Sequence, residues 1–74
     1  MKATVTIERG LRSRQTVWLD APTKTAHAML EAIGSLKMWD HQLRCWKFPS
    51  RRAEDLIAYA AGKGHPVYVV EVDR

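Results

Sequence analysis

Two stretches of this chain repeat apolar residues at helical spacing, and each is entered from a strand-like pattern through a proline. Ala26, Met29, Leu30 and Ile33 follow the i, i+3, i+4, i+7 rule, and Ala53, Leu56, Ile57 and Ala60 do the same. A helix with one apolar stripe must bury it against a second layer. Strand patterns supply that layer. Ala3, Val5 and Ile7 alternate with Lys2, Thr4, Thr6 and Glu8, which predicts a half-buried strand over residues 2–8. Residues 15–20 predict a second strand, with Val17 and Leu19 on the core side and Trp18 on the opposite face, where Tyr68 is a candidate neighbour. Residues 9–14 join the two as a hairpin loop, and Gly10 there is free to take positive φ. Shorter strands are expected over 36–39 and 43–48, joined by a turn at Asp40, His41 and Gln42.

Punctuation supports the same order. Asp20 or Thr23 is expected to cap the first helix, with Pro22 in its first turn, and Ser50 to cap the second. Gly34 weakens the first helix end, and Gly62-Lys63-Gly64 stops the second through a left-handed glycine. Residues 67–72, V-Y-V-V-E-V, are apolar on both faces, which predicts a strand covered on both sides or central in its sheet. The expected fold is α+β: a β-β-α-β-β-α-β two-layer sandwich, with one mainly antiparallel sheet and two helices on one face, in a single domain over residues 1–74. The apolar positions of the two helices correspond at a constant offset of 27, so the chain reads either as a weak duplication or as two unrelated capped helices that happen to align.

At 74 residues the chain can bury only about 60% of its unfolded surface. Cys45 is the only cysteine, which rules out an internal disulfide and suits a reducing compartment. The first residues alternate instead of forming an apolar block, and no run approaches the roughly 18 apolar residues of a membrane span. A cytoplasmic protein without a membrane partner is expected. Twelve Lys and Arg against eight Asp and Glu give a formal charge of +4. That attracts phosphate, although the same charge also keeps a small domain monodisperse.

Catalytic signatures are lacking. His27, His41 and His65 fall on a helix, a turn and a strand entry, without Cys, Asp or Glu at metal-ligand spacing. Ser13, Ser35 and Ser50 occupy turn or cap contexts, Cys45 lies on a strand with no evident base, and there is no phosphate loop. A non-enzymatic protein without metal or cofactor is expected.

Residues 39–49, W-D-H-Q-L-R-C-W-K-F-P, hold the densest chemistry. Arg44, Trp46 and Phe48 share one face of the expected strand, and Leu43, Cys45 and Lys47 the other. If Trp46 and Phe48 faced outward they would form a stacking platform for bases. Lys47 would then face the core at high cost, so the two aromatics are assigned to the core. Basic residues cluster at Arg9, Arg12 and Arg14, at Arg44 and Lys47, and at Arg51 and Arg52. Arginines at a helix start oppose the helix dipole but add guanidinium groups to free amides, which suits a phosphate. Alternatively, Glu54 and Asp55 compensate them and both are solvated.

This segment, followed by S-R-R-A-E-D-L-I-A-Y-A and a β-rich end, resembles the HARP domain of annealing helicases, and small modules found with SNF2-type and phage helicases, over about residues 36–70. The matching positions are Trp39, Asp40, Trp46, Phe48 and Pro49, with Leu56 and Ile57 on the helix. His41 departs from the proline usual after the Asp, and the resemblance carries over no motor activity to these 74 residues. The resemblance implies recognition of DNA, particularly forked or partly single-stranded DNA. It implies that Trp39 and Asp40 shape the hairpin, and that Arg44, Lys47, Arg51 and Arg52 contact backbone phosphate. The expected function is therefore a nucleic-acid-binding module, DNA in the first place, with Trp18 or Trp39 stacking on a base. The alternative is a small protein-interaction module of phage or plasmid type. It would dock on an acidic host protein, or homodimerise through an edge strand at residues 2–8 or at the last strand.

Overall fold

A computed structural model of the protein describes residues 2–74. The elements are β1 (Val5–Gly10), β2 (Thr16–Asp20), α1 (Thr23–Ala32), β3 (Met38–Asp40), β4 (Cys45–Pro49), a 3-10 turn (Ser50–Arg52), α2 (Ala53–Gly62) and β5 (Val67–Val72). The β-β-α-β-β-α-β order and the two-layer α+β arrangement are those read from the sequence. The five strands lie in the order β3-β4-β2-β1-β5. All neighbours are antiparallel except β1 and β5, which run parallel.

The connections explain this order. β1–β2 and β3–β4 are hairpins. β2-α1-β3 is a crossover that leaves room for β4 between its strands. β4-α2-β5 is a longer crossover that spans both β2 and β1. The two β-α-β units are therefore unequal, because the N-terminal strand occupies a slot inside the second one. That slot also corrects two expectations. Residues 2–8 do not form an edge strand, since β1 is paired on both sides. β5 is neither central nor covered: it lies outermost, with Tyr68 57%, Val69 46% and Val70 40% exposed. β1 takes the place beside β2, and only Val67 of β5 packs against the core.

Alternation along the strands sorts the sheet into a helix face and an open face. Val5, Ile7, Val17, Leu19 and Phe48 point to the helices and are buried. They meet Ala26, Met29 and Leu30 of α1 and Ala53, Leu56 and Ala60 of α2. Each large side chain removed from water here contributes about 1.5–3 kcal/mol. Phe48 is thus core, and Trp46 is half-buried against it.

The helix ends are held differently from expectation. No side chain caps α1, whose N-cap is Pro22, and none caps the 3-10 turn. Asp20 is drawn into β2, and the Ser50 hydroxyl donates to the Arg14 carbonyl instead. The C-termini do use glycine. Gly34 and Gly64 have φ of 67° and 80°, and Ser35 N–H and His65 N–H reach back to the Leu30 and Ala60 carbonyls.

Candidate nucleic-acid interface

The open face carries Trp18 near its centre. Its cross-strand neighbours are Glu8 and Lys47, not Tyr68, which pairs with Thr6. An indole on a helix-free face is normally exposed, yet Trp18 is only 8% exposed. The chain after β5 folds back over it. The Arg74 guanidinium lies 5.0 Å from the ring centroid and pairs with Glu8. Arg12 N–H donates to the Arg74 carbonyl, and the indole Nε1–H donates to Asp40 Oδ2 at 3.2 Å. Base stacking on Trp18 therefore requires Arg74 to leave.

Trp39 faces the helix side from the edge strand β3. It is half-buried and sets its ring edge-on to Trp46, with centroids 5.2 Å apart. Trp46 in turn meets His27 at 5.7 Å, and its Nε1–H is enclosed without an acceptor among the described residues. Trp39 thus belongs to an aromatic cluster and lies away from the open face.

Asp40 shapes the β3–β4 turn. Its Oδ1 accepts from the Gln42 and Leu43 amides at 3.0 Å each, and Arg44 closes the turn with φ of 53°. These amides, led by that of Leu43, together with the Trp18 indole and the charge of Lys47, hold the Asp40 carboxyl below its ordinary value. Burial, with the nearby Glu8 and Asp40 carboxylates, pushes the Cys45 thiol up, so it rests as the uncharged thiol. Among the described residues no three His, Cys, Asp or Glu gather as a metal site. Among the described residues no helix is long and apolar enough to cross a membrane.

Of the four expected phosphate contacts, the structure brings two together. Lys47 and Arg51 line one groove of about 540 Å³ beside β3, β4 and the start of β2. Arg52 turns away to Asp55 at 3.2 Å. Arg44 sits at the opposite end of β4, roughly 10 Å along the strand from Lys47. Among the described residues neither Lys47 nor Arg51 has an acidic partner at ion-pair distance, whereas Lys37 in the same groove pairs with Glu31 at 3.3 Å. The walls are apolar: Leu36, Met38 and Pro49 line them, with Leu36 73% and Met38 62% exposed.

Leu36 and Met38 were not singled out from the sequence. Met38 is the cross-strand partner of Lys47, so only the β3–β4 register joins them. Arg14 is brought to the same end of the sheet by Ser50, whose amide also donates to the Gln15 carbonyl. The groove can hold an anionic group on two cations while an apolar or planar group lies on Met38 and Leu36. Comparison with protein-family models, with characterised proteins and with solved structures gave no match.

Proposed function

We propose that the protein is a non-enzymatic nucleic-acid-binding module that takes a single strand, DNA in the first place, along β4. Phosphates sit on Lys47 and Arg51, and a base lies against Met38 and Leu36. Arg44 offers a further phosphate contact beyond Lys47. The observation that carries this reading is the pairing of two cations lacking acidic partners with exposed apolar walls in one groove. Surface cations usually find carboxylates or water, and large apolar side chains are usually withdrawn from it; together they match the two parts of a nucleotide. The choice of DNA rests on the resemblance of residues 36–70 to HARP domains. Trp18 stays beneath Arg74 in this mode, and Trp39 supports Trp46.

The test is a fluorescence anisotropy titration with single-stranded, forked and duplex DNA and with single-stranded RNA at low salt. Micromolar or tighter binding is expected, with single-stranded and forked DNA ahead of duplex. Absence of binding to every probe at low salt would remove the reading. Equal binding of RNA would withdraw the preference for DNA.

A further inference from the structure

The two edges of the sheet are built differently. β3 is three residues long and runs directly into the Asp40 turn, so it offers little to a partner strand. β5 is six residues long, contains no proline, lysine or arginine, and exposes Tyr68, Val69 and Val70. Proline and lysine are among the devices that usually blunt natural edge strands; β5 has neither, and Glu71 is its one charge.

Its free backbone groups can be assigned. Val5 N–H donates to the Pro66 carbonyl and Leu11 N–H to the Val72 carbonyl, so even-numbered residues of β5 turn their backbone groups toward β1. By alternation Val67, Val69 and Glu71 aim their N–H and C=O outward. Glu71 lies near its C-terminal end, beside Arg9 in the β1 register, where Arg12 and Arg74 are paired with Asp73 and Glu8; Lys2, whose side chain lies beside Gly64, flanks its N-terminal end.

We propose that β5 is the homodimer contact, pairing antiparallel with β5 of a second copy about a two-fold axis at Val69. In this register Val69 meets Val69 of the second copy, and Val67 meets Glu71 of the second copy, all through outward-facing backbone groups. Tyr68 then lies opposite Val70 of the second copy on the open face, in the closely spaced type of pair where side chains touch most. Each Glu71 is carried toward Lys2 of the second copy. A parallel pairing would instead set acid beside acid. The result is one continuous sheet with all helices on one side and the two Lys47–Arg51 grooves toward its outer edges. A single strand pair lies near the lower limit of specific interfaces, about 1,000 Å², so a micromolar dimer is expected.

Sedimentation velocity and disulfide trapping test this together. The protein is expected to be a dimer in the high-micromolar range. Val69→Lys, which puts two like charges on the axis, should be monomeric at the same concentration with an unchanged circular dichroism spectrum. In a Cys45→Ala background, Val69→Cys should form a covalent dimer, because hydrogen-bonded antiparallel pairs stand about 5.5 Å apart at Cα, within disulfide range. Glu71→Cys should not, because its counterpart is displaced along the strand. A monomeric protein, a dimer that survives Val69→Lys, or equal trapping at 69 and 71 would overturn the proposal. If Val69→Lys fails to fold, the trapping pair decides. The Lys47→Gln, Arg51→Gln variant should remain dimeric, which separates this interface from the groove.

Discussion

Gly10 ends β1 beneath the chain that covers Trp18, and replacing it with alanine probes that cover. A Cβ there would point to the open face. It would stand 2.9 Å from the Arg74 carbonyl oxygen, 3.1 Å from Trp18 Cζ3 and 3.3 Å from Ser13 Cβ. None of the three yields readily. The carbonyl is held by the Arg12 amide, the indole by Asp40 and Arg74, and the serine by its own turn back to the Gly10 carbonyl. Overpacking of this kind costs about 1–3 kcal/mol. Against it stands the entropy that alanine removes from the unfolded chain, about 0.5–1 kcal/mol. The difference spans about 0–2.5 kcal/mol, with a central loss of about 1.3 kcal/mol. With a urea m-value near the low end for small domains, about 1 kcal/mol/M, the midpoint should fall by about 1.3 M. Acrylamide quenching of native tryptophan fluorescence should rise as Trp18 is uncovered. A higher midpoint, or an unchanged one with unchanged quenching, would refute the packing of residues 73–74 over the open face.

Asp40 should make the fold sensitive to acid. Its carboxyl lies below the ordinary value of 3.8 in the folded chain, so its stabilising effect is complete above that value and is lost as pH falls below it toward the lowered folded value. The melting-temperature advantage of the wild type over Asp40→Asn should therefore shrink across that acid range; a constant gap would count against the turn's role. Trp46→Phe removes an enclosed N–H that has no acceptor, which offsets part of the apolar area lost, so a stability change within about 1 kcal/mol is expected from urea melts. Leu56→Ala, at a fully buried site between helix and sheet, should cost about 2–5 kcal/mol and leave little folded protein at physiological temperature, as read by circular dichroism.

Periodicity carried most of the fold. The helix stripes at Ala26–Met29–Leu30 and Ala53–Leu56–Ala60, and the alternation of Val5, Ile7, Val17 and Leu19, depend on neighbours within a few residues, so the sequence displays them directly. Position within the sheet is different. Whether β1 or β5 sits beside β2 depends on which strand fills a slot two elements away, and V-Y-V-V-E-V reads the same at an edge as at a centre. The caps failed for a related reason. Asp20 and Ser50 have suitable side chains, but strand pairing claims the first and the Arg14 carbonyl the second. Gly10 looked like a residue chosen for positive φ, and its place is set by how closely Arg74 and Trp18 approach. The groove was half legible: Lys47 and Arg51 stand out as charges near a proline, while Leu36 and Met38 join them only through the β3–β4 register.

The central claim is that Lys47 and Arg51 together receive nucleic-acid phosphate. It is tested most directly by the salt dependence of single-stranded DNA binding in the wild type and in a Lys47→Gln, Arg51→Gln variant. Each phosphate neutralised on a single strand adds about 0.7 to the slope of log K against log salt. Losing both cations should weaken binding at low salt and flatten the slope by about 1.4. The circular dichroism spectrum should not change, since neither side chain has an ion-pair partner to lose among the described residues. A variant that binds as tightly as the wild type, with the same slope, would contradict the account.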